Sequence, residues 1–138
     1  MLERLLILLY SSRYTVHCEV RLAEAKRVPA VFYRTSSGAE PVRRWLRGLT
    51  AEDRRIIGVD IATVEYGWPV GMPVCRPITS RRGLWEVRST LTGGRIARVL
   101  FCMHGGRMVL LHGFIKKTQQ TPDSDLDLAM KRKKEIER

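Results

Sequence analysis

The sequence predicts a small α+β domain in the order β-α-α-β-β-β-α, a helical hairpin packed on a mainly antiparallel sheet. Two apolar stripes at helical spacing stand close together in the first half. Three β-rich segments divided by glycine turns fill the second half, and a charged helix closes the chain. The 138 residues suit one compact domain, and 44% hydrophobic content is enough to bury a core. Residues 1–27 read as an N-terminal extension, and 28–138 as the domain itself.

The segment Val28–Thr35 (VPAVFYRT) is β-rich and ends at Ser36-Ser37-Gly38, so it predicts a strand, with Pro29 suited to its edge. Pro41 then opens a helix beside the dipole-favoured Glu40. Val42, Trp45, Leu46 and Leu49 form its apolar face. Thr50 with Asp53 three residues on starts a second helix, which carries Ile57, Ile61 and Val64 to a stop at Gly67. So short a connection predicts an antiparallel helical hairpin. Between Trp68 and Arg82, Pro69, Gly71, Pro73 and Pro77 predict loop. Strands follow at Leu84–Leu91, Arg95–His104 and Arg107–Lys116, the last two joined by the hairpin signal Gly105-Gly106. Thr121 reads as the N-cap of a final helix with Pro122 at its first position. Asp123, Asp125 and Asp127 lie at the start of that helix and Lys131–Lys134 towards its end, matching the macrodipole.

Charge narrows the function. The net +11 is distributed as +2 over residues 1–27, +1 over 28–67, +8 over 68–122 and zero over 123–138. Solubility would be served by either sign, so a concentration of +8 predicts a positive surface that attracts a polyanion such as nucleic acid. The alternative is a basic surface without a dedicated ligand. The apolar run Leu5–Tyr10 is six residues, against about 18–20 for a membrane span, and no cleavage-site pattern follows it, so neither membrane insertion nor a signal peptide is expected. Cys18, Cys75 and Cys102 are widely spaced without a CxxC, so no zinc site or disulfide framework is expected, and the chain reads as cytoplasmic. Alternation puts Leu84, Glu86 and Arg88 on one face of their strand. Arg88 and Arg98 each interrupt a strand otherwise built for burial, the local inconsistency expected of a site.

The phrases PVRRWLRGL, GLWEVR, RIARVLF and HGFIKKTQQTP, in that order, resemble the HigB-like, phage-related addiction module killer toxins of the RelE/ParE superfamily, over roughly Val31 to Ile136. The resemblance implies a fold like that of microbial ribonucleases and the toxin half of a type II toxin–antitoxin pair. Its partners would be a HigA-like helix-turn-helix antitoxin, mRNA and the ribosome, without a membrane. It further implies a ribosome-dependent mRNA endoribonuclease; the ParE branch poisons DNA gyrase instead, and a degenerate phage accessory protein that only binds nucleic acid or an antitoxin is a third possibility.

Cleaving RNA in this way needs a base for the ribose 2′-OH, cations for the phosphorane charge, and an acid for the 5′-oxygen. No cofactor is expected, and with Glu86 the only acid between Trp68 and Pro122 a two-metal site is disfavoured. By the resemblance, Arg88 and Arg98 match the arginines that line the cleft and contact the phosphate. Lys116 and Lys117 match a further cation after the last strand. Arg76, Arg81, Arg82 and Arg95 are candidates for holding the RNA backbone, and His112 for acid/base work if it faces the cleft. Each has a plainer alternative: Arg88 as a surface arginine, Arg98 as the partner of a helix acid such as Glu65, the lysines as an exposed strand end, and His112 as a core histidine. The C-terminal tyrosine of some RelE-type toxins has no match, since no Tyr follows Tyr66, and the general base is not fixed by the resemblance.

Overall fold

The computed structural model describes residues 26–116 and 121–138. Its elements are β1 (Ala30–Phe32), α1 (Pro41–Arg47), α2 (Ala51–Gly67), β2 (Cys75–Pro77), β3 (Trp85–Thr90), β4 (Ile96–His104), β5 (Arg107–Lys116) and α3 (Asp123–Ile136), with a 3-10 turn at Thr92–Gly94. Residues 1–25 of the N-terminal extension and Lys117 lie outside the described residues.

Local chemistry builds the hairpin as the sequence predicts. Pro41 sits at the first position of α1, where its missing N–H removes no helical bond. The Thr50 hydroxyl caps α2 by accepting the Asp53 amide at 3.2 Å. Gly105 and Gly106, at φ of 58° and 74°, turn β4 into β5 in a conformation other residues resist.

The strands form one mixed five-stranded sheet in the order β1-β5-β4-β3-β2. The sheet is mainly antiparallel as expected, and the expected topology is corrected in one respect. A further strand, β2, lies within the stretch read as loop and pairs antiparallel with β3. It is three residues long and at the sheet edge, where Pro77 can end it without breaking a central ladder. Strand β1 runs parallel to β5, and the remaining pairings are antiparallel.

Each face of the sheet packs its own helical layer. Val42 and Leu46 of α1 and Ile57, Ile61 and Val64 of α2 bury against Val87, Val99, Phe101 and Leu110. On the opposite face Leu126 and Ala129 of α3 bury against Leu84, Leu100, Cys102 and Leu111. A register shift sits between Leu100 and Phe101, whose partners are His112 and Leu110. The bulge leaves Leu111 over, so that both Leu111 and His112 serve the α3 face.

Candidate functional site

Alternation puts Glu86, Arg88, Arg98 and His112 on the α3 face because Leu84 and Leu100 of the same strands pack there. Register then brings distant residues side by side. Arg76 is opposite Glu86, Arg88 is opposite Arg98, and Arg98 is opposite Phe114.

Glu86 is the hub. Its side chain is fully buried, and one oxygen accepts Arg98 Nη1 at 2.6 Å while the other accepts Arg76 Nε at 2.5 Å. The Thr121 hydroxyl donates to the first oxygen at 3.3 Å. A carboxylate out of water is costly unless paired and hydrogen-bonded, and here it has two guanidiniums and a hydroxyl. Arg98, with its side chain 1% exposed, is therefore held beneath the surface rather than projecting into solvent. Its partner is the in-sheet Glu86 rather than the helix acid Glu65, which binds Lys26 Nζ at 3.2 Å and the Ala30 amide at 2.8 Å.

Arg88 is the cation left over. Its Nε is buried and finds no hydrogen-bond partner among the described residues. Burial, and then the neighbouring charges of Arg98 and Arg76, pull its pKa below the usual arginine range, with Glu86 opposing them. Arginine stays charged even so. Three guanidiniums on this face thus meet one carboxylate of the sheet, and the positive excess is greatest at Arg88. That is the electrostatic signature of an anion site.

His112 faces the same layer. Its Nε2 lies 2.7 Å from Asp125 Oδ1 on α3, and its ring stacks on Phe114 with centroids 5.3 Å apart. An ionised carboxylate can only accept, so Nε2 is the donor in this contact, and in the neutral imidazole the lone pair is then on Nδ1. Asp125 orients the imidazole, the arrangement a general base requires.

The remaining candidates divide. Arg76 joins the cluster through Glu86. By alternation Lys116 ends β5 on the face of Phe114, opposite Ile96. Arg81 turns to α3, where Nη2 meets Asp127 at 2.9 Å and Asp123 at 3.3 Å. Arg82 is exposed in the turn before β3. Arg95 leaves the site: it grips Asp53 at the start of α2 through both terminal nitrogens, at 2.9 and 3.0 Å. Trp85 packs edge-on against Trp68 with centroids 4.8 Å apart, on the hairpin side, so it belongs to the core.

Two participants carried no site signal in the sequence. Thr121 reads as a helix cap, but Pro122 occupies the N-cap position without a side-chain bond, and the Thr121 hydroxyl is spent on Glu86. Asp125 reads as a dipole-matching acid and is also the partner of His112. Among the described residues no three His, Cys, Asp or Glu side chains are grouped to hold a metal ion, and no helix is long and apolar enough to cross a membrane.

The family model described as phage derived protein Gp49-like (DUF891) matches residues 44–134, the span that contains every described member of this site. No curated protein matches the chain.

Proposed function

The chain belongs to the Gp49-like family of phage-derived proteins, which is related to RelE- and HigB-type toxins, and from that premise we propose that it is the toxin of a type II toxin–antitoxin pair. In this reading it is a HigB-like, ribosome-dependent endoribonuclease that cuts mRNA without a metal. The observation that carries the reading is Arg88: a guanidinium whose buried Nε finds no partner among the described residues, beside Arg98 and Arg76, on a face with a single sheet carboxylate. A scissile phosphate is the ligand such a fork fits bidentately.

In the proposed reaction Arg88 takes the phosphate and Arg98, pinned by Glu86, fixes the charge beneath it. His112, through Nδ1, accepts the ribose 2′-OH proton as the 2′-oxygen attacks phosphorus. The P–O5′ bond breaks, and the departing 5′-oxygen takes a proton from solvent or from the protonated histidine. The products are a 2′,3′-cyclic phosphate and a 5′-hydroxyl. Lys116 adds positive charge at the edge of the site. The ribosome would supply alignment, which alone can contribute much of the barrier reduction.

Expression should arrest growth, with cuts mapped inside translated reading frames and naked transcripts left whole. Arg88→Ala should lower the cleavage rate on the order of 10²–10³-fold, as loss of one preorganised charge contact does. Its melting temperature should hold, because Arg88 Nε makes no internal hydrogen bond among the described residues. Arrest with intact transcripts and double-strand DNA breaks would replace this reading with gyrase poisoning.

A further inference from the structure

Two adjacent arginines in the turn before β3 are treated differently by the fold. Arg82 is exposed and has no ion pair among the described residues. Arg81 is clasped: its Nη2 meets Asp127 Oδ1 at 2.9 Å and Asp123 Oδ1 at 3.3 Å, both at the start of α3. One guanidinium thus faces two carboxylates, so this cation of the basic stretch is more than neutralised. The clasp lies beside the cationic cluster, because Asp123 lines an open depression together with Arg76 and Thr121, which both bond Glu86.

The elements it joins stand without it. The turn is closed by its own backbone: Ile78 N–H donates to Leu84 O at 2.8 Å, and Arg81 N–H to Ile78 O and Leu84 N–H to Arg81 O, each at 3.1 Å. Helix α3 is held to the sheet by Leu126 and Ala129, by Asp125 on His112, and by Arg132 Nη1 on the Leu111 carbonyl at 2.7 Å. Asp123 and Asp127 keep a favourable place without Arg81, since the N-terminal end of a helix attracts negative charge. Their side chains are 86% and 67% exposed, and an ion pair so open to water is weak. A contact that braces neither element and parts at small cost is exchangeable. A phosphate can take Arg81 from the two carboxylates and leave turn and helix intact.

We infer that Asp123 and Asp127 are a built-in competitor for nucleic acid: they occupy Arg81 in the free chain, hold its affinity for RNA down, and yield it to a backbone phosphate when a strand is laid across the cluster. The inference rests on the RNA reading above and says what regulates that same site. A stray transcript meets a masked cation. A strand already aligned at Arg88 presents a neighbouring phosphate at high effective concentration, which opens the clasp.

A double-mutant cycle on the full chain tests it, read by fluorescence anisotropy at low salt with a short 2′-O-methyl oligouridine, which has no 2′-OH to attack. Asp123→Asn/Asp127→Asn should bind about three- to ten-fold tighter than the unmodified chain, the scale of exposed ion pairs. Two fewer negative charges acting through space would also tighten binding, but independently of Arg81. Arg81→Ala separates the two causes: it should weaken the unmodified chain less than about two-fold and the Asn variant about three- to ten-fold. Arg82→Ala, next in the chain and unclasped, should weaken both by one factor. Arg81→Ala should also melt with the unmodified chain, and a large drop would make the clasp a structural brace and overturn the inference. Equal affinity of the Asn variant and the unmodified chain, the same Arg81→Ala factor in both, or no binding by the Asn variant would overturn it too. Unequal factors with translated mRNA left whole would overturn only the nuclease reading, and cutting with equal factors only the competitor.

Discussion

The two faces of the sheet solve opposite problems with the same strands. Towards α1 and α2, Val87, Ala97, Val99, Phe101 and Leu110 make an apolar surface that any well-shaped hydrocarbon layer can cover. Towards α3, the alternate positions of those strands carry Glu86, Arg88, Arg98 and His112 among Leu84, Leu100 and Leu111. Stability on the first face comes from area removed from water and from close packing. On the second, Glu86, Arg98 and His112 are each matched by a named partner within hydrogen-bond reach, and Arg88 is the charge for which the described residues supply none. One face is therefore tolerant of chemistry and strict about shape, and the other the reverse.

The largest expected effect breaks the charged face. Glu86→Ala leaves buried Arg98 without its carboxylate and should cost about 3–5 kcal/mol, the usual penalty for removing one partner of a buried ion pair. Urea unfolding measures it. A loss below about 1 kcal/mol would show that Arg98 can reach water without Glu86, and the contrast between the faces would fail. Glu86→Gln keeps the shape and two polar atoms, so it should fall between the two.

Shape is tested on the apolar face by its tightest contact. A Cβ at Gly113 of β5 would lie 2.4 Å from two ring carbons of Trp45 on α1. A rigid indole cannot yield as a flexible chain end would, so Gly113→Ala should destabilise by about 1–3 kcal/mol, as overpacking does. Trp45→Leu in the same chain should recover part of that loss. Additive losses in the double variant would show that the two residues do not oppose each other.

The contrast also explains what the sequence could disclose. Periodicity reports burial, so the hairpin, the Thr50 cap and the three long strands were readable from Val42, Leu46, Ile57, Ile61 and the alternation of β3 and β4. Three-residue β2 was not, because Pro73 stands just before it, Pro77 is its last residue, and only pairing with β3 makes it a strand. The cations of the candidate site stood out as interruptions of apolar strands. Their partners did not, because partnership is a matter of register. Nothing local says that Glu86 lies diagonal to Arg98, that a bulge turns His112 towards Asp125, or that Arg95 reaches back to Asp53. Thr121 was misread for the same reason: its immediate sequence describes a cap, and its actual acceptor lies 35 residues earlier.

The smallest effect sharpens the comparison within a single helix of the hairpin side. Asp53 and Asp60 both belong to α2, but Asp53 has the Arg95 guanidinium, which holds its carboxyl below the ordinary 3.8, while Asp60 is pushed above it by burial, with only a Ser89 hydrogen bond in opposition. The folded chain therefore binds a proton at Asp60 more tightly than the unfolded chain does. The stability Asp60 contributes is complete below the ordinary value and drains away as pH rises through the raised one. At pH 7 the charged form is a cost, and Asp60→Asn should stabilise by about 0.5 kcal/mol, the low end of single stabilising changes, with no gain below about pH 4. Asp53 has the opposite sign: its contribution is present above its ordinary value and is lost only as pH falls through the lowered one. Asp53→Asn should accordingly destabilise at pH 7, and that loss should persist to more acid solution than the Asp60→Asn gain. Thermal melts of both variants from pH 7 to pH 3 measure the crossing. Parallel curves would show that a charge on the hairpin side costs the same whether or not it has a partner.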